Sequence, residues 1–395
     1  MSNKKTQREL GQFFTPAPVA ELVTKYVSED IASAVDLAAG FGDLLLPVHE
    51  KNKGIEICAV DIDPVSVKEL KRQFPLGDVK RANALKLRGN TKKWLTEQEF
   101  DLVVGNPPFN KQDASNWSIQ IIQDQLGIDL SNYSTIRAEV AFIALSLLSA
   151  KKSGYISLVL PKTIAIGESW CWLRKILLEK HSIIAAATLP SGAFSSTEVE
   201  TCVLTLQKGR VHQKDIKIIE CDRSGCELNS LYVSKENAKY RLDYDYHNWR
   251  IQNKNGNSET LAQAGVEVVR GNIHFKKARD MGIDIFHTSN FTKLSEGGIA
   301  FPEGKDENLG RLVSVGKGDI LIPRVGRNLN QVAKVLSGHS IISDCVFGLK
   351  APDSKIDDLQ RCLESEKARG WIKVHTSGSC AKIISKTSLL NMPLN

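Results

Sequence analysis

The chain has 395 residues, 42% hydrophobic and 25% charged, with 28 Gly and 13 Pro; this excludes collagen-like, disordered and disulfide-scaffold classes and suggests two or three domains. No apolar run approaches the ~18 residues of a membrane span, and residues 1–8 are too polar for a secretory signal. Of the net charge of +7, residues 241–395 carry 22 Lys/Arg against 17 Asp/Glu, a basic tilt that permits a polyanionic partner without demanding one.

In chain order, Thr15 is placed as the N-cap and Pro16 as the first residue of a helix whose apolar face is Val19, Leu22, Val23, Tyr26 and Val27. A first strand, Ala34–Ala38, closes in the turn Gly40–Phe41–Gly42. A second, Ile55–Val60, ends in Asp61, Ile62, Asp63 and Pro64. A third, Phe100–Val104, runs into Gly105, Asn106, Pro107, Pro108 and Phe109. Ala138–Leu148 is almost wholly apolar, as a helix packed on a sheet would be, and strands follow at Tyr155–Leu160, Ile183–Thr188 and Cys202–Leu206. This alternation predicts an α/β fold with a doubly wound sheet over residues 1–235. A linker is expected over 236–262, where the stretch 253–258 is polar and turn-prone, followed by a β-rich domain over 263–395. Its clearest runs are Gly318–Pro323 and Ile341–Leu349, with one helix at Ile356–Ala368.

The eight cysteines include no Cys-x-x-Cys pair and no His at ligand spacing, so no metal site is expected and a reducing cytoplasm is. Ligands of open α/β sheets bind at the carboxyl ends of the strands, and three of those ends carry unusual residues. Asp36, Ala38, Gly40 and Gly42 make a small-residue turn after the first strand. Asp61 stands 25 residues beyond Asp36, where a carboxylate accepts from ribose hydroxyls. Residue 45 is Leu, so a third phosphate-cradling glycine is missing, which favours S-adenosylmethionine over NAD or ATP. In Asn106-Pro107-Pro108-Phe109 two prolines lock the backbone, so an amide oxygen and a carbonyl can face one exocyclic amino group. Phe109 adds a face for a planar base. No cysteine is placed as a nucleophile for 5-methylcytosine chemistry.

With this order of motifs the chain resembles the gamma class of amino-methyltransferases, the adenine-N6 DNA methyltransferases of restriction–modification systems, including the TaqI-like enzymes. The resemblance implies a Rossmann-like methyltransferase sheet and a C-terminal target-recognition domain. It places the opening Gly11–Pro16 at the cofactor, with Thr15 against its methionine part. Asp36, Ala38, Gly40, Gly42, Asp61 and Ile62 follow as cofactor contacts, and Asn83 stands where an Asp usually receives the cofactor adenine's amino group. Asn106, which also borders the cofactor, Pro107 and Phe109 are implied as the catalytic group. Phe194 falls where a second aromatic holds the flipped base, with core packing as its other reading. Leu37 and Phe41 depart from the family's usual Pro and small residue. The C-terminal part resembles target-recognition domains of type I specificity subunits in Gly318–Gly326 and Gly378–Leu394. Arg324, Arg327, Lys373 and Lys382 are the candidates there for phosphates or guanine edges. The implied partners are double-stranded DNA and a cognate restriction endonuclease, with no membrane, and the chain is expected to be a monomer. Methyl transfer to RNA adenine or a protein glutamine, and a non-catalytic DNA-binding subunit of a modification complex, are the competing readings.

Overall fold

A computed structural model describes residues 15–194, 198–209, 215–253, 258–294, 298–303, 311–378 and 381–394. Gly11–Phe14 of the opening motif, residues 195–197 after Phe194, most of the polar stretch 253–258 and residues 379–380 of the last resemblance segment lie outside them. The chain divides into two compact units, residues 1–247 and 248–395.

The first unit carries strands β1 (Ser33–Asp36), β2 (Glu56–Asp61), β3 (Asp78–Arg81), β4 (Phe100–Gly105), β5 (Lys111–Asp113) and β6 (Thr135–Arg137). Further along come β7 (Ala150–Pro161), β8 (Ser182–Leu189), β9 (Thr201–Gln207), β10 (Ile216–Cys221) and β11 (Glu227–Val233). Nine of them form one sheet in the order β11-β10-β8-β9-β7-β4-β1-β2-β3, while β5 and β6 pair separately. Strands β3, β2, β1, β4 and β7 run parallel, and β9 is antiparallel to both β7 and β8.

Side chains alternate between two apolar layers. Val35, Val60 and Val103 enter one with the buried helix Ala138–Ser149, whereas Ala34, Ala59 and Leu102 enter the other with the helix Ala17–Thr24. A sheet covered on both faces is the doubly wound arrangement the sequence predicts. The fully buried Leu145 and Leu147 stabilise it by about 1.5–3 kcal/mol each. Local signals set the helix ends. Asp63 accepts from the Val65 and Ser66 N–H groups at the start of Pro64–Gln73, and Gly127, at φ +74°, closes Asn116–Leu126.

Residues 236–262, expected as a linker, hold most of the helix Lys235–Ala238 and all of Tyr244–Gln252. Residues up to 247 belong to the first unit for a physical reason. The buried Arg174 guanidinium donates to the carbonyls of Ile164, Gly167, Lys239 and Tyr240, at 2.6–3.1 Å. A buried cation needs those acceptors, and they lie partly on the expected linker. The Leu242 N–H also donates to the Ala165 carbonyl at 3.0 Å.

The second unit holds a five-stranded sheet in the order Glu267–Arg270, Val346–Lys350, Ile320–Pro323, Ala333–Ser337, Ile299–Ala300. A three-stranded sheet and the pair Val325–Gly326 with Lys382–Ile383 complete its strands among the described residues. The run expected over Ile341–Leu349 is two strands, His339–Ile342 and Val346–Lys350, separated by a turn in which the Val346 N–H donates to the Ser343 carbonyl. The helix expected at Ile356–Ala368 breaks at Ser365, whose hydroxyl accepts from the Ala368 N–H and starts a second helix, Glu366–His375. Among the described residues no helix is long and apolar enough to cross a membrane.

Candidate active site

The chain leaves β1 toward β2 on one side and returns to β4 on the other, so β1 and β4 flank a topological switch point. There the carboxyl ends of neighbouring parallel strands leave an opening for a ligand. Asp36 ends β1, Asp61 ends β2, and Asn106 follows β4.

Asp36 is 1% exposed, and its Oδ1 accepts from the Ala38 N–H at 2.9 Å. Burial pushes this carboxyl from its ordinary 3.8 up to about 7, the Ala38 N–H opposing the shift and the charges of Asp61 and Asp43 adding to it. A cationic group on a ligand beside Asp36 would offset that cost. The Asp61 oxygens accept from Gly40 N–H at 2.7 Å and Asp63 N–H at 2.8 Å, and burial raises its pKa as well. The Ile62 N–H also bonds to this carboxylate, and a carboxylate's four or so acceptor sites still leave room for a ligand hydroxyl.

The two turn glycines differ. Gly42, at φ +87°, packs so closely on the end of the helix Pro64–Gln73 that a Cβ would lie 2.8 Å from Phe74 and Gln73. Gly40, at φ +53°, meets nothing within 4 Å of a Cβ position, so open space lies against its backbone.

Thr15 does not cap the helix as expected. The helix is Ala17–Thr24 with Pro16 as its N-cap, and no side chain caps it. Thr15 instead accepts through Oγ1 from Asn106 Nδ2 at 3.1 Å and donates its N–H to Asp43 Oδ2 at 3.0 Å. Burial raises the Asp43 pKa too. Asp43 and Thr15 are 28 residues apart, and no pattern in the sequence announces their contact.

The other expected residues divide. Pro107 is buried and Phe109 half-buried, the latter packed on the apolar layer that contains Phe194. Phe194 is 3% exposed and serves as core here, presenting no open face. Asn83 Oδ1 accepts from the Leu85 N–H at 3.0 Å, capping a short turn. Ala38 is half-buried beside Asp36, while Ile62 is 46% exposed. In the second unit the pairing of Gly326 with Lys382 draws Arg324, Arg327 and Lys382 into one region, whereas Lys373 lies on the helix Glu366–His375. Arg270, which sequence reasoning missed, joins Arg324. Both donate to the Asp344 carbonyl, at 3.2 and 3.0 Å, and the Asp344 carboxylate stands 4.0 Å from Arg270. Among the described residues no His/Cys/Asp/Glu group could hold a metal ion.

The Asp36 shift has a measurable consequence. Between pH 3.8 and about 7 the folded state holds a proton that the unfolded chain releases, so stability falls as pH rises through that window. The Asp36→Asn variant, free of this cost, gains on the wild type by up to about 4 kcal/mol between pH 4 and pH 8 in denaturant titrations. A difference that does not change with pH contradicts the assignment.

Comparison with known proteins agrees with this frame. A family model described as N-6 DNA Methylase matches residues 1–272. The chain is 26% identical over 230 residues to the type I restriction enzyme MpnII methylase subunit of Mycoplasma pneumoniae, a match covering 53% of this chain and 42% of that protein. It is 27% identical over 240 residues to the type II methyltransferase M.BsuBI of Bacillus subtilis, covering 54% and 46%. The chain thus spans less than half the length of these two relatives. Among solved structures, the type IIG restriction endonuclease BpuSI shares the fold with a TM-score of 0.51 at 14% identity, covering 98% of this chain and 59% of that one. By the match over most of its length, the chain belongs to the N-6 DNA methylase family.

Proposed function

We propose that the chain transfers a methyl group from S-adenosylmethionine to N6 of an adenine extruded from duplex DNA, as a gamma-class, site-specific modification enzyme of a restriction–modification system. The observation that carries this reading is Asn106 at the end of β4, its amide tied to Thr15, beside a switch-point opening edged by the buried carboxyls Asp36 and Asp61.

These residues suit the cofactor. The open space at Gly40 admits it, Asp61 accepts from its ribose, and Asp36 answers its amino group; Ala38 and Gly42 complete the wall. Bound there, S-adenosylmethionine supplies an electrophilic methyl group on a sulfonium.

The chain's own part is orientation and lone-pair activation. Asn106 Oδ1 and the Pro107 carbonyl accept from the two N6 hydrogens, drawing the nitrogen lone pair out of the ring. Phe109 stacks on the base, whose extrusion costs a few kcal/mol. Phe194 serves as the second aromatic only where the base displaces its present packing. Asn83, with Oδ1 already shared with Leu85, gives the cofactor adenine a neutral acceptor.

The second unit acts in this reading as the target-recognition domain, with Arg324, Arg327, Lys373 and Lys382 on DNA. The chain works in the cytoplasm as a monomer, alongside a cognate endonuclease. Arg324 supplies a backbone contact, so Arg324→Gln weakens binding to all duplex sequences alike and lowers the slope of log K against log salt by about 0.9. An unchanged slope removes Arg324 from the interface.

The reading is tested by offering methyl-labelled S-adenosylmethionine with unmethylated bacterial DNA, total RNA and a protein extract. Label entering DNA as N6-methyladenine supports it; label in RNA or protein alone replaces the substrate. No transfer, with no heat of cofactor binding, favours a non-catalytic subunit.

A further inference from the structure

We propose that Thr15 is a positioning residue that fixes which end of the Asn106 side-chain amide faces the amino group to be methylated. The inference rests on the methyl-transfer reading and assigns Thr15 a role different from the cofactor contact that the family resemblance implies.

The two ends of an amide are chemically opposite. The NH₂ end only donates and the carbonyl end only accepts, yet the terminal torsion is broad and roughly two-fold, so the side chain can turn over. Activation of an exocyclic amine requires the acceptor end. An Asn106 turned the other way would set a donor against a donor and leave the substrate's lone pair in its ring.

The structure supplies a lock for this torsion. Asn106 Nδ2 donates to Thr15 Oγ1 at 3.1 Å across a separation of 91 residues, which directs Oδ1 away from Thr15. Thr15 is itself held on both sides. Its N–H donates to Asp43 Oδ2 at 3.0 Å, and the next residue is Pro16, with φ fixed at −58°. Beyond Pro16, the buried Val19, Ala20 and Val23 anchor the helix in the core. Thr15 is only 7% exposed, so little water competes for the hydroxyl. Because Asp43 adjoins Gly42, the line Asp43–Thr15–Asn106 connects the glycine turn to the catalytic amide.

Thr15→Val keeps the shape and removes the hydroxyl, whereas Thr15→Ser retains it. With unmethylated bacterial DNA and saturating S-adenosylmethionine, Thr15→Val lowers the single-turnover rate roughly a hundredfold. Cofactor affinity by calorimetry stays within about threefold, and Thr15→Ser recovers most of the rate. The opposite split, weakened cofactor binding with an unchanged rate at saturation, overturns the proposal in favour of a cofactor contact alone. A readout independent of activity is the side-chain amide resonance of Asn106 in protein labelled with ¹⁵N-asparagine, identified by its loss in Asn106→Ala. Thr15→Val shifts it and speeds its hydrogen exchange, while Thr15→Ser leaves it near its wild-type position; an unchanged resonance in Thr15→Val overturns the tie. A wild type that methylates no DNA sinks the methyl-transfer reading, and the resonance still decides the tie.

Discussion

Asn106→Ala is expected to lower the single-turnover rate of DNA methylation by at least about a thousandfold, roughly 4 kcal/mol of transition-state stabilisation, while S-adenosylmethionine still binds. The substitution removes the acceptor that frees the N6 lone pair. It spares Asp36 Oδ1 with Ala38, Asp61 with Gly40 and Asp63, and the open space at Gly40. The loss therefore falls on kcat. Rapid-quench methylation and cofactor calorimetry on the same preparation separate the two effects. Near-normal turnover, or a parallel loss of cofactor binding, contradicts the division of labour between the β4 end and the β1–β2 ends.

Asp61→Ala carries the second large effect, on affinity. Its oxygens serve two purposes: they accept from Gly40 and Asp63 N–H groups at 2.7 and 2.8 Å, and they face the proposed ribose. Truncation strips the ribose of its acceptors and orphans the Gly40 N–H, loosening the glycine turn. We expect the dissociation constant of S-adenosylmethionine to rise about a hundredfold, near 3 kcal/mol. Asp61→Asn keeps one acceptor oxygen and falls between the two. Equal affinity in wild type and Asp61→Ala would place the ribose elsewhere.

Much of the first unit is legible because its strands announce themselves. Ala34, Val35, Ala59, Val60, Leu102 and Val103 form dense apolar runs, each ending in a turn or a proline, and they lie on interior strands of the sheet. The edges were harder. Asp78–Arg81 is a four-residue strand with three polar side chains, and Glu227–Val233 is largely exposed, so neither shows a buried periodicity. The end of the first unit is hard to read from the sequence because what binds residues 239–242 to it is a set of backbone carbonyls around Arg174, and carbonyls leave no trace in a sequence. The break at Ser365 is legible, since Ser directly before an acidic first turn is a capping signal.

The site shows the same divide. Asp36, Asp61 and Asn106 stand at strand ends and are visible as polar residues closing apolar runs. Asp43 and Arg270 matter through tertiary contacts, to Thr15 and to the carbonyl shared with Arg324, that no local pattern encodes. Phe194 shows the converse. Its position matches a motif, yet its packing is that of an ordinary core aromatic.

The most direct test of the central claim is modification-sensitive sequencing of DNA from cells that lack other adenine methyltransferases and express either the wild type or Asn106→Ala. The account predicts N6-methyladenine at one recurring sequence with the wild type and unmodified adenine throughout with the variant. Unmodified DNA with the wild type, or the same modified pattern with the variant, would contradict it.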